Sequence, residues 1–215
     1  MFLKHLENIN IILASGSPRR KQLLESLDIQ FSVQTKNISE QYPVYLQRQD
    51  IPQFLSRQKA YSIREGNMDS FIISADTIVL QRNDVLGKPE NKEQAIQMLQ
   101  RLSGTFHEVI TGVTIVKGTK ESTFFERTEV LFKKLNNEEI NYYIDKFQPF
   151  DKAGSYGIQE WIGMIGIQRI QGDYFNVVGL PLHRLTVEIE KFFDPNYTPV
   201  PHSPDISSKY LYFNS

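Results

Sequence analysis

The chain of 215 residues contains no cysteine. That excludes disulfides, thiolate zinc sites and cysteine nucleophiles at once. Histidine is nearly as sparse. His5, His107, His183 and His202 stand far apart, and His107-Glu108 lacks the second histidine of an HExxH zinc helix. No apolar run approaches the ~20 residues of a membrane span, and the N-terminus carries no apolar stretch of the secretory kind. An excess of one charge is missing too. The formal net charge of −1 argues against bulk binding to nucleic acid or an anionic membrane, while leaving room for a local pocket that takes one small anion. The GxxxxGKS/T, GxGxxG and GxSxG templates are also absent, so the familiar phosphate loops and the nucleophile elbow do not apply. These absences predict a cytoplasmic protein with no nucleic-acid and no membrane partner. A hydrophobic share of 40% is enough for a sizeable core.

What is present begins directly behind the apolar run Ile11-Ile12-Leu13-Ala14, which reads as a buried strand. There stands Ser15-Gly16-Ser17-Pro18-Arg19-Arg20, followed by Leu23, Leu24 and Leu27 at helical spacing. Ser17 occupies an N-cap position and Pro18 the first helical position, where no backbone N–H is needed. The helix start therefore offers free N–H groups, a partial positive charge, hydroxyls and two guanidinium groups in a small volume. Two readings stand at this point: a phosphate site, or an ordinary turn with two solvated arginines.

The rest of the chain alternates strand and helix signals. Ile29, Phe31 and Val33 alternate as a strand, and a polar stretch carrying Glu40 follows. Pro52 opens a helix through about Glu65. Phe71 to Leu80 is a strand whose polar centre is Ser74, Asp76 and Thr77, and Asn91 caps a helix ending at Ser103-Gly104. Thr105–Lys117 and Thr123–Leu135 form an antiparallel pair. A helix capped near Asn137, the loop Asp151–Gln159, another strand or two and a final helix from about Leu180 to Phe192 complete the pattern. Residues 1–193 are expected as one domain, and 194–215, with Pro195, Pro199, Pro201 and Pro204, as an extended tail.

Several residues stand out for chemistry. Asp76 lies mid-strand in an apolar run, so it is paired, protonated or metal-bound. Lys59 sits between Leu55 and Ile63 on the inward stripe of its helix, where it either snorkels to solvent or faces a cleft as a phosphate ligand. Lys88, between Gly87 and Pro89, precedes a helix N-terminus in a stiff loop. In Asp151–Gln159 two glycines permit close backbone approach, Tyr156 offers a ring for stacking, and the Gln159 amide can both donate and accept toward a uracil or thymine edge. The bland alternative for this loop is a tight turn around a buried tyrosine.

In order, these pieces resemble the Maf family of nucleotide pyrophosphatases. The matching residues are Ala14 to Arg20 with Leu23-Leu24, Ser39-Glu40, Lys59-Ala60, Ala75-Asp76-Thr77, Gly87-Lys88-Pro89 and Leu102-Ser103-Gly104 with His107. Thr111-Gly112-Val113, Asp151 to Gln159 and Gly172 to Pro181 follow. The resemblance implies an enzyme hydrolysing a nucleoside triphosphate to the monophosphate and pyrophosphate, for nucleotide-pool housecleaning, with a divalent cation (Mg2+, Mn2+ or Co2+) as cofactor. The Asp151–Gln159 segment looks like the branch acting on dTTP, UTP and modified uridine triphosphates. By the same resemblance Asp76 is the proton acceptor, and Arg19, Thr77 and Gln159 set specificity. Ser17, Arg20, Glu40, Lys59 and Lys88 line the phosphate and metal site, with Glu40 and Asp76 as metal ligands. The implied fold is α/β: a mixed, elongated sheet flanked by helices, two lobes around a central cleft, similar to the inosine triphosphatases, and a possible homodimer. A non-catalytic nucleotide-binding regulator of cell division is the rival reading. Glu160-Trp161 departs from the family pattern, which typically has glycine and a short polar residue there.

Overall fold

The computed structural model describes residues 2–198. In chain order its elements are α1 (Leu3–Leu6), β1 (Ile11–Leu13), α2 (Pro18–Glu25), β2 (Ser32–Val33), α3 (Asp50–Arg64), β3 (Phe71–Gln81), β4 (Asp84–Leu86) and α4 (Lys92–Leu102). The chain continues with β5 (Phe106–Lys117), β6 (Lys120–Phe132), α5 (Asn137–Phe147), α6 (Trp161–Gly166), β7 (Ile167–Gln171), α7 (Tyr174–Val178) and α8 (Leu182–Phe193). Ser17 caps α2, with Pro18 as its first residue, and Asn91 caps α4. Asn136 and Glu139 form a reciprocal capping box at α5, satisfying two backbone donors that a helix start leaves open.

Seven strands form one mixed sheet in the order β2-β1-β3-β5-β6-β7, with β4 joined to β3. β1 runs parallel to both β2 and β3, and the other pairings are antiparallel. β3 is buried on both faces, which explains its nearly continuous apolar run. Ile72, Ile78 and Leu80 pack toward α3. Phe71, Ile73 and Val79 point into the larger core, which takes Leu23 and Leu24 from α2, Leu99 from α4, Tyr143 from α5 and Leu185 from α8.

One detail of the sheet positions the site. β5 pairs with β3 from Ile72 to Leu80. On the opposite edge, β1 covers Phe71 to Ile73 and β4 covers Val79 to Gln81. Between them, residues 74–78 have no strand partner on that edge among the described residues. This opening lies at the carboxyl end of β1, where α2 leaves to one face of the sheet while α3 packs on the other. Open α/β sheets bind ligands at such a switch point.

The structure moves several expected boundaries. α3 begins at Asp50, so Pro52 is its third residue, still within the first turn where a missing N–H costs nothing. β2 shrinks to Ser32–Val33, and β6 starts at Lys120 rather than Thr123. Residues 161–178 hold two short helices around β7. Gly179 ends α7 with φ 125°, and the last helix waits until Leu182. Most of the expected tail lies outside the described residues. Among them, no helix is long and apolar enough to cross a membrane.

Candidate active site

Asp76 and Thr77 fall in the opening of β3, and strand alternation sends them to opposite faces. Asp76 is on the α3 face, opposite Gly112 in the β5 register, and is buried with 8% of its surface exposed. Lys59 of α3 reaches it: Nζ donates to Asp76 Oδ1 at 2.5 Å and to Glu40 Oε1 at 3.0 Å. Lys88 donates to the other Glu40 oxygen at 3.2 Å. Two carboxylates and two ammonium groups thus alternate, which is how the fold offsets the cost of a buried carboxylate. Burial works to raise the Glu40 carboxyl, but the charges and hydrogen bonds of Lys59 and then Lys88 outweigh it and hold the group below its ordinary value.

α3 comes this near because Gly112 carries no side chain. A Cβ there would sit 2.3 Å from the carbonyl carbon of Pro52 and 2.4 Å from the Gln53 nitrogen. The helix backbone lies directly on β5, and Lys59, farther along the helix, meets Asp76.

On the other face Thr77 Oγ1 accepts from Arg20 Nη2 at 2.9 Å and lies 2.9 Å from Thr111 Oγ1. Arg20 also donates Nη1 to Ser15 Oγ at 3.1 Å and Nε to the Gly179 carbonyl at 2.9 Å. Burial, the dominant influence, pulls Arg20 below its usual value against the favourable charge of Asp76. Its neighbour differs. Arg19 meets Asp151 Oδ2 at 2.9 Å with 27% of its side chain exposed. Asp151 in turn accepts from Lys152 Nζ at 2.7 Å. Burial would raise the Asp151 carboxyl, but hydrogen bonds from Lys152 and Arg19 hold it low.

The opening widens into a cavity of about 1020 Å³ that gathers all nine sequence-selected residues: Ser17, Arg19, Arg20, Glu40, Lys59, Asp76, Thr77, Lys88 and Gln159. Its wall carries six cationic side chains (Arg19, Arg20, Lys36, Lys59, Lys88, Lys152) against three carboxylates (Glu40, Asp76, Asp151). A chain with net charge −1 therefore concentrates positive charge at one place, as an anionic ligand requires.

Among the described residues no group of three or more His, Cys, Asp or Glu side chains is arranged to hold a metal ion by itself. The donor chemistry nevertheless fits a hard divalent cation. Asp76 and Glu40 each present a carboxylate oxygen to one ammonium, and Mg2+ is commonly held by one or two carboxylates with substrate phosphates and water completing the shell.

Tyr156 takes the bland reading. It is a buried core residue, its hydroxyl 2.7 Å from His107 Nε2 and its ring edge-on to Phe132, rather than an open stacking surface. Sequence reasoning gives Lys152 no role of its own and reads Glu160 only as a departure from the family pattern. Lys152 is 8% exposed and bridges Asp151 and Glu160. The sequence sets Asp151 beside Lys152, but that Lys152 also meets Glu160, and Glu160 meets Tyr143, depends on how the loop folds back on α5. Thr111 was quoted only as part of a motif. Its hydroxyl joins Thr77 to the Asn176 carbonyl on α7 at 3.1 Å.

The sequence model of the family described as Maf-like protein matches residues 10–192. A dTTP/UTP pyrophosphatase of Cytophaga hutchinsonii is 56% identical over 216 residues, covering 99% of each chain. Proteins of the same description from Phocaeicola vulgatus and Bacillus cereus are each 50% identical, over 88% and 85% of this chain and 99% and 95% of their own. Two solved structures are more distant. A nucleoside-triphosphatase / dITP/XTP pyrophosphatase from Mycobacterium abscessus gives a TM-score of 0.40 at 13% identity, covering 59% of this chain and 76% of its own. The Ham1 protein of Staphylococcus aureus gives 0.42 at 10%, covering 57% and 71%. Both likenesses are too slight to argue from.

Proposed function

The chain belongs to the family of Maf-like proteins, and from that premise we propose that it hydrolyses dTTP and UTP to the monophosphate and pyrophosphate. The observation that carries the proposal is the Asp76–Lys59–Glu40–Lys88 array, which runs from buried Asp76 out to exposed Glu40 and Lys88 in the opening of β3 and faces a cavity rich in cations. The names of relatives at 50–56% identity support the same substrates.

The two faces of the opening divide the work. Lys59 and Lys88, with the cap region of α2 at Ser17, neutralise the triphosphate and hold it in place. Asp76 accepts the proton of the attacking water as the water oxygen bonds to the α phosphorus and the bond from that phosphorus to the bridging oxygen breaks. Pyrophosphate leaves as the stabilised anion. Glu40 keeps Lys59 and Lys88 aligned before the substrate arrives. A divalent cation held by Asp76 and Glu40 belongs to the same proposal: when bound it would neutralise phosphate charge and acidify the attacking water.

Across the opening, Gln159 and Arg19 address the pyrimidine end. The Gln159 amide both donates and accepts, which suits the acceptor–donor–acceptor edge of uracil or thymine. Arg20 and Thr77 hold each other through a hydrogen bond and shape this end through Gly179 and Thr111. A cytoplasmic setting and a homodimer belong to the same reading. Light scattering of the purified chain tests the latter.

A panel of dTTP, UTP, CTP, GTP and 7-methyl-GTP with Mg2+ or Mn2+, scoring pyrophosphate apart from phosphate, tests the reaction. Pyrophosphate from dTTP and UTP supports the proposal. Binding without release favours a nucleotide-sensing regulator, and release of inorganic phosphate alone contradicts the reaction type.

A further inference from the structure

A second array of charges lies behind the pyrimidine end of the cavity. Lys152 Nζ meets Asp151 Oδ1 at 2.7 Å and Glu160 Oε1 at 3.0 Å. The other Asp151 oxygen holds Arg19 at 2.9 Å. The other Glu160 oxygen accepts from the hydroxyl of Tyr143 on α5, and that hydroxyl accepts from the Gly157 backbone N–H at 3.0 Å. Guanidinium, carboxylate, ammonium and carboxylate thus alternate in a chain that starts at Arg19 in the cavity and ends on fully buried Tyr143.

We propose that Glu160 and Lys152 are positioning residues that set affinity for the nucleotide through Arg19. Resting on the function proposed above, this assigns to them the geometry of its pyrimidine end. The physical case is charge balance. Asp151 is shared between Lys152 and Arg19, so the pull on each depends on what else its partners hold. Glu160 occupies Lys152 from the far side. Without that carboxylate, the buried ammonium has Asp151 as its one charged partner and draws it away from Arg19. Glu160 also sets the backbone beside Gln159. A Cβ on Gly157 would lie 2.7 Å from the Glu160 carboxyl carbon, so this stretch of loop is seated on that side chain. Trp161 anchors the next residue edge-on against Tyr142 at 4.8 Å.

The test is a double-mutant cycle between Glu160→Gln and Arg19→Ala, read on dTTP affinity by calorimetry and on KM and kcat. The glutamine keeps an oxygen for Tyr143 and removes only the charge that Lys152 sees, so the fold should survive; thermal melting checks this. In the parent background Glu160→Gln should weaken dTTP binding and raise KM about threefold to tenfold with kcat within about twofold. In the Arg19→Ala background the same change should have no further effect, because the residue through which it acts is gone. Lys152→Met leaves Asp151 wholly to Arg19, so it should not reproduce the loss of Glu160→Gln, and in the Lys152→Met background Glu160→Gln should have no further effect on affinity. Unchanged affinity in Glu160→Gln, or an equal loss in both backgrounds, overturns the inference. Parent protein that binds dTTP without releasing pyrophosphate defeats the proposed function, yet the affinity cycle still decides this one. Failure of the parent protein to bind dTTP overturns both.

Discussion

Arg19 and Arg20 are adjacent and chemically identical, yet the fold gives them different work. Arg20 uses three of its five donors on Ser15, Thr77 and Gly179, stitching the turn after β1 to β3 and to the end of α7. Arg19 makes one partly exposed ion pair and is free to answer a ligand. The three donors of a lysine ammonium share one nitrogen and cannot reach acceptors that are met by three separate nitrogens of the guanidinium fork. Arg20→Lys should therefore lower unfolding free energy by about 2 kcal/mol in urea titrations, leaving buried acceptors unmatched. Arg19→Lys should stay within about 0.5 kcal/mol of the parent in the same titrations while weakening dTTP binding. Equal stability losses in the two variants would contradict this division.

The element that sets the catalytic geometry is α3, and its seat on β5 depends on Gly112. Gly112→Ala should force the helix off the sheet and cost more than about 2 kcal/mol, with turnover falling because Lys59 moves from Asp76. Gly66→Ala is the control, since a Cβ there meets nothing within 4 Å. Comparable melting points for the two variants would contradict the role given to Gly112. At this scale the sequence was legible wherever the signal was local. Ser17 and Pro18 announced α2, the Leu55–Lys59–Ile63 stripe placed Lys59 inward, and the polar centre of β3 marked Asp76. What was not legible depends on how segments fold against one another. β2 is two residues long because it leans on β1, and residues 161–178 fold around β6 and the core rather than by their own periodicity. Lys152 and Glu160 look like loop charges because the sequence cannot show that the loop folds back to pair them and to set Glu160 against Tyr143. Tyr156 looked like a stacking platform because sequence cannot show that His107 and Phe132 enclose it.

At the scale of the whole molecule, that buried pair makes folding depend on pH. Burial pushes His107 down from 6.5 to about 3, so the folded protein keeps the ring neutral where an unfolded chain takes up a proton. This contribution to stability is complete above 6.5 and drains away as the pH falls toward about 3, by up to ~1.4 kcal/mol per pH unit. Glu40 and Asp151, held low, lose theirs beneath the usual carboxylate range. His107→Gln should lower stability at neutral pH yet flatten its decline between about pH 6 and about pH 4 in denaturant titrations. An unchanged slope would show that another group dominates the acid limb.

The sheet, α3 and the cavity converge on Asp76. The most direct measurement is pyrophosphate release from dTTP by Asp76→Asn, alongside calorimetric binding of dTTP to the same variant. The account predicts a folded protein that still binds dTTP and releases pyrophosphate at least about a hundredfold more slowly than the parent. Turnover near the parent rate would contradict it.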